Sequence, residues 1–189
     1  LSNQLIKMTS DYKQNKFYKS LYPKDIIDKA SKIELLAFDV DGVLTDGGLY
    51  FDHDGNELKR FCAQDGHGIK IIQSIGIQTM IISGRESKSV YHRGQELDIE
   101  YVLQGSRNKL KTFYEQDTGI PIEKVCYIGD DTVDIELLGK VGLSVIVPNS
   151  NPILEEYKFD WVTSRTGGNG AVRDTCDLIY FSKSLNEKT

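Results

Sequence analysis

Asp39-Val40-Asp41 places two carboxylates one residue apart, directly after the apolar run Ile33–Phe38 and before the glycine-bearing stretch Gly42–Gly47. On a strand alternate residues face the same way, and past its end the chain turns, so the second carboxylate can point back at the first. Two acids that close call for a metal ion, a shared proton, or both. Further along stand Ser83-Gly84-Arg85, then Lys109, then Gly129-Asp130-Asp131 with Asp134 a turn later. Asp39 and Asp130, helped by Asp131 or Asp134, offer the hard oxygen ligands that Mg²⁺ prefers. The Ser83 hydroxyl, a backbone amide beside Gly84 and the Lys109 ammonium are donors suited to phosphate oxygens. This mixture serves phosphoryl transfer: a cation offsets carboxylate–phosphate repulsion, and donors meet the equatorial oxygens. One aspartate can attack as nucleophile while the other handles the proton.

Such residues can act together only if the fold brings them to one edge. The sequence predicts strands at Ile33–Asp39, Ile77–Ile82, Tyr101–Leu103, Lys124–Ile128, Ser144–Val147 and Trp161-Val162. Helices are expected from Pro23 to Ala30 and over Gly68–Ile75, Glu86–Leu97, Asn108–Gln116, Val133–Leu138, Asn151–Tyr157 and Ala171–Ser182. Strict alternation of strand and helix implies a parallel sheet with helices on both faces. The expected fold is therefore α/β and Rossmann-like, and ligands of open α/β sheets bind at the carboxyl ends of the strands. The first, second, third and fourth strands end at or just before Asp39, Ser83, the stretch leading to Lys109, and Asp130. Between the first strand and the next helix, Leu49-Tyr50-Phe51 and Leu58–Cys62 flank an Asp54-Gly55 turn, a β-hairpin over about residues 48–62. Residues 1–20 read as a weakly ordered arm and residues 21–189 as one domain.

Composition narrows the class. The 189 residues are 39% hydrophobic and 27% charged, as expected of a globular protein. A net charge of −5 argues against nucleic acid, which needs a basic stripe. No apolar run reaches the roughly 20 residues of a membrane span. The start of the chain lacks the continuous apolar segment of a secretory signal, and Cys62, Cys126 and Cys176 form no paired spacing. Reduced cysteines and a cytoplasmic location are the expectation.

The order Asp39-x-Asp41-Gly-Val, Ser83, Lys109, Gly129-Asp130-Asp131-x-x-Asp134 resembles the four motifs of the haloacid dehalogenase superfamily of phosphatases. Phe38–Gly47, Asp65–Lys70, Ser83-Gly84-Arg85 and Gly167–Arg173 resemble more narrowly its 3-deoxy-D-manno-octulosonate 8-phosphate phosphatase branch. The resemblance implies Asp39 as nucleophile and Mg²⁺ ligand. It implies Asp41 as acid/base that binds metal through its carbonyl, and Asp130 as third ligand, with Asp131 and Asp134 in support. Ser83 and Lys109 would hold the phosphoryl group. Gln64-Asp65-Gly66, Gly84 and Arg85 would face the substrate, with Arg85 on its carboxylate or on a nearby acid, and the Gly167–Gly170 loop would close over it.

The branch is capless and tetrameric, its hairpins meeting at the centre, a role that Leu49, Tyr50, Phe51, Leu58 and Phe61 suit. Gln64 and Asn169 stand where arginine is frequent in the branch, which leaves a nine-carbon keto-sugar acid phosphate open beside the octulosonate. Two other classes compete. A receiver-like signalling domain also combines acids, a hydroxyl, a lysine and Mg²⁺, but its phosphorylated aspartate ends a later strand. A catalytically weak regulatory partner of a cytidylyltransferase is the other.

Overall fold

A computed structural model describes residues 21–186; the predicted arm, residues 1–20, lies outside them. After helix α1 (Lys24–Ala30) comes β1 (Leu35–Phe38), then a hairpin of β2 (Tyr50–Phe51) and β3 (Glu57–Leu58). Helix α2 (Ala63–Gln73), β4 (Gln78–Ile82), α3 (Lys88–Glu96), β5 (Tyr101–Leu103), α4 (Lys109–Glu115) and β6 (Val125–Gly129) follow. The described residues end with α5 (Ile135–Leu138), β7 (Leu143–Ile146), β8 (Trp161–Val162) and α6 (Ala171–Asn186). The six sheet strands lie in the order β5-β4-β1-β6-β7-β8 and every pair is parallel.

Strand β1 is apolar on both sides because both sides are buried. Leu36 and Phe38 pack into a core with Ile69 and Ile72 of α2 and Ile179 of α6, while Leu35 and Ala37 pack with Phe113 of α4 and Leu137 of α5. Helices thus cover both faces, the pattern expected of parallel strands without polar alternation. Chain order reverses at β1, which runs on to β4 on one side and borders β6 on the other. This is the switch point at which doubly wound sheets bind ligands. The register aligns Phe38 with both Ile81 and Ile128, so β1, β4 and β6 end nearly level.

Several boundaries differ from the expected ones. Helix α2 begins at Ala63 rather than Gly68, so Gln64, Asp65 and Gly66 lie in its first turn. Gly66 and Gly68 lower helix propensity, but tertiary contact overrides it: a Cβ on Gly68 would stand 2.7 Å from Arg173 Cδ of α6. The second hairpin strand is only Glu57–Leu58, not Leu58–Cys62. Val133–Leu138 divides into a 3₁₀ turn (Thr132–Asp134) and short α5, and the helix expected at Asn151–Tyr157 is 3₁₀ over Pro152–Glu156. Tyr22 stacks edge-on to Trp161 at 5.7 Å, which places the tryptophan against the core. All three cysteines are free thiols, with Cys126 and Cys176 buried.

Candidate active site

Past β1 the chain makes a wide turn, Val40–Leu44, closed by the Thr45 N–H donating to the Val40 carbonyl at 2.9 Å. Asp41 is extended within it, and Gly42 is left-handed at φ +84°. That glycine is required twice over. L-residues avoid this φ, and a Cβ there would collide with the Asp130 carboxylate. The missing side chain lets the end of β6 approach the end of β1.

Asp39 is nearly buried, and both of its oxygens are held. Oδ1 accepts from its neighbour's amide, Val40 N–H, at 2.6 Å, and Oδ2 accepts from the Lys109 ammonium. Lys109 begins α4, and its stem is fully enclosed. It also donates to Asp134 Oδ1 at 2.6 Å, an oxygen that receives the Tyr127 hydroxyl at 2.6 Å. Asp134 Oδ2 accepts the amides of Asp130 and Asp131 at 2.9 and 3.1 Å. Asp134 is thereby saturated with donors and acts as a bracket that fixes Lys109 and the 130–131 turn. Asp131 is exposed, accepting from Thr132 N–H and the Asn151 amide.

The acids outnumber the cations here. Carboxylate oxygens of Asp39, Asp130 and Asp134 lie within 4.8 Å of one another, with Lys109 among them. Burial pushes Asp130 up to about 8, reinforced by the charges of Asp39 and Asp134. Burial likewise raises Asp39 to about 6, against the pull of Lys109. Burial works to lower Lys109, but Asp39 and Asp134 outweigh it and raise the ammonium above its ordinary value. An all-oxygen cluster short of positive charge fits a hard divalent cation such as Mg²⁺, with Asp39, Asp130 and the Asp41 carbonyl as candidate ligands.

A cleft of about 370 Å³ opens over this cluster, lined by Asp39, Asp41, Lys109 and Asp130 together with Ser83, Gly84, Arg85 and Asp131. Ser83 is buried at the end of β4, its amide bonded to the Leu103 carbonyl of β5. Arg85 meets solvent at the mouth, with its guanidinium on Glu57 of the hairpin; of its two expected partners, the structure supplies the acid.

Gln64, Asp65 and Gly66 do not line this cleft. Gln64 Oε1 accepts from Arg165 at 2.5 Å, and a Cβ on Gly66 would strike the Arg93 guanidinium. Asp65 is fully buried against α6, accepting the Arg173 amide at 2.8 Å, and burial pushes it up to about 6. The Gly167–Gly170 loop is not over the cleft either. The Gly168 amide bonds to the Val43 carbonyl at 2.9 Å, and a Cβ on Gly167 would strike the Gly42 carbonyl, so the loop packs behind the Asp39 turn. Asn169 faces Arg60, which donates twice to its amide oxygen at 3.1 Å. Strand β5 is followed by Gln104, whose side-chain oxygen accepts from Ser87 N–H at 2.7 Å. No carboxylate stands where a receiver would carry one.

Sequence reasoning missed Lys59. Its side chain, only 1% exposed, pairs with Asp41 and lies 3.6 Å from Glu57. The available signal was the period of two: Glu57 and Lys59 share one side of the hairpin stem, while Leu58 between them is exposed.

A family model of haloacid dehalogenase-like hydrolases matches residues 106–173. Over 161 residues the chain is 44% identical to the 3-deoxy-D-manno-octulosonate 8-phosphate phosphatase of Escherichia coli K12, covering 84% of this chain and 85% of that protein. The crystal structure of the phosphatase of that name from Yersinia pestis superposes with a TM-score of 0.83 at 40% identity, covering 87% of this chain and 89% of that one. The Moraxella catarrhalis phosphatase, solved with a magnesium ion, a phosphate ion and a KDO molecule, gives 0.83 at 36% identity over 88% and 97% of the two chains. With its switch-point acids and these relatives, this chain belongs to the 3-deoxy-D-manno-octulosonate 8-phosphate phosphatase family of haloacid dehalogenase-like hydrolases.

Proposed function

We propose that the chain is a Mg²⁺-dependent phosphatase acting on the phosphate monoester of a 2-keto-3-deoxy sugar acid, most simply 3-deoxy-D-manno-octulosonate 8-phosphate. The observation that carries this reading is the Asp39–Lys109–Asp134 arrangement at the sheet switch point. It fixes a carboxylate in one orientation at the floor of the cleft. Asp39 Oδ attacks phosphorus, the P–O bond to the sugar breaks, and Asp41 gives its proton to the departing alkoxide. A water molecule then cleaves the aspartyl phosphate, with Asp41 taking the proton back. Lys109, the Ser83 hydroxyl and the amide beside Gly84 receive the phosphoryl oxygens, donors already in place before the charge develops. Asp39, the Asp41 carbonyl and Asp130 would hold Mg²⁺, which supplies charge compensation between carboxylates and phosphate. Asp131 and Asp134 support that shell, and Arg85 faces the substrate at the mouth.

The chain would serve lipopolysaccharide inner-core synthesis in the cytoplasm. No helix of the described residues is long and apolar enough to cross a membrane. Leu49, Tyr50, Phe51 and Leu58 are exposed on the hairpin, and a homotetramer joined there accounts for them. The test is phosphate release from eight- and nine-carbon keto-sugar acid phosphates, with Mg²⁺ and with excess EDTA. Turnover of the octulosonate ester that EDTA abolishes is expected. Release from none of the esters, or full activity in EDTA, overturns the proposal.

A further inference from the structure

The geometry points to Lys59 as the positioning residue of the acid/base: it holds the Asp41 carboxylate for proton exchange with the leaving group. This inference rests on the phosphatase reading above and adds a residue to it. Asp39 is fixed by Lys109 and the Val40 amide, but neither reaches Asp41, which lies beyond the strand and is 24% exposed. The partner that Asp41 Oδ1 receives is the Lys59 ammonium, carried in on the hairpin. An ammonium so enclosed has exchanged its water for carboxylates, and it keeps them because an unpaired buried charge is costly.

Lys59 is itself anchored from the far side. Glu57 stands 3.6 Å from its ammonium and also accepts from Arg85, so Glu57 and Lys59 link Arg85 to Asp41, two residues of the cleft lining, as one chain of charges. Glu57 is held below the ordinary glutamate value by its Ser87 contact first, then by Lys59 and Arg85, and so stays ionised as the anchor. With Oδ1 engaged by Lys59, the proton exchanged with the leaving oxygen travels on Asp41 Oδ2. Lys59 thus supplies to the second aspartate the restraint that Lys109 supplies to the first.

The experiment compares two esters. A sugar phosphate departs as an alkoxide and needs the proton; para-nitrophenyl phosphate departs as a stable phenolate and scarcely needs it. Lys59→Met should lower kcat/KM on the sugar phosphate by about 10²-fold, the usual contribution of a general acid. On the aryl ester the fall should be at least about tenfold smaller, and Lys59→Arg should recover most of the loss. Lys59→Gln, which keeps a donor of similar length, is read in the same ratio if Lys59→Met does not fold. Equal losses on both esters, no loss, or a loss carried by KM alone would overturn the assignment. Wild-type protein inactive on both esters would instead sink the phosphatase reading itself, so the two failures are distinguishable.

Discussion

Asp39 and Asp41 stand one residue apart, yet their surroundings come from different parts of the molecule. Around Asp39 everything belongs to the sheet and its crossover helices: Lys109 at the start of α4, Tyr127 on β6, Asp134 beyond it, all buried. Around Asp41 the partners ride on an inserted hairpin, and they end in an arginine that meets solvent. In the proposed mechanism, the half that would bond phosphorus is therefore buried with the core. The half that would handle the leaving group can be altered without touching the core. A fold so divided can keep one phosphoryl chemistry while its leaving groups change.

The sharpest way to break this contrast is Asp39→Asn, which should lower turnover by at least roughly 10⁴-fold on every ester, alkyl or aryl. A discontinuous phosphate assay checks it, and near-normal rates would remove Asp39 from the nucleophile's place. Next in size is a comparison of the two lysines by chemical denaturation. Lys109→Met leaves buried acids facing one another and should cost about 3–5 kcal/mol of stability. Lys59→Met leaves acids that water can reach and should cost less than about half of that. Equal costs would mean that the hairpin side is as deeply built as the sheet side.

Phe51→Glu places a charge on the exposed hairpin face and, if the proposed homotetramer forms there, should convert it to smaller species in light scattering. The loss of activity should be several-fold and heavier on the sugar phosphate than on the aryl ester, because the hairpin carries the Asp41 side. Smallest is the effect of Asp65→Asn, which touches neither half. Folding raises Asp65 from 3.8 to about 6, so its favourable contribution is complete below the unfolded value and is lost as pH rises through about 6. The melting temperature of the asparagine variant should therefore gain on wild type by about 4 °C between pH 5 and pH 8, a window that holds about 1.4 kcal/mol of a total linkage of about 3 kcal/mol. A difference that does not move with pH would refute it.

Most of the fold was legible because its strands are apolar runs bounded by glycine and acid, and because their alternation with helices leaves few topologies. The level strand ends then brought Asp39, Ser83, Lys109 and Asp130 into one cleft. What escaped was decided by contacts no local pattern encodes. The helix expected from Gly68 starts five residues earlier, at Ala63, so that Gly66 and Gly68 lie inside α2, where the Arg93 and Arg173 side chains press against them. Lys59 drew no reading: the period of two pairs it with Glu57, but its contact with Asp41 joins residues 18 apart across the hairpin. Gln64, Asp65 and the glycines at 167–170 carried family resemblance but do not line the cleft: Gln64 meets Arg165, Asp65 meets the Arg173 amide, and Gly168 meets Val43.

The packing of that glycine loop behind the Asp39 turn has a consequence in time. Gly167 and Gly168 come from near the far end of the chain, and their backbone lies directly on Gly42, Val43 and Thr45. During synthesis the N-terminal segments emerge first, and β1 can exist well before its supporting loop has left the ribosome. The Asp39 turn meets its backing only when the segment leading into α6 docks, a late closure of high contact order. A nascent chain therefore carries the proposed nucleophile long before the turn around it is backed, and any activity of this site has to wait for the segment leading into α6.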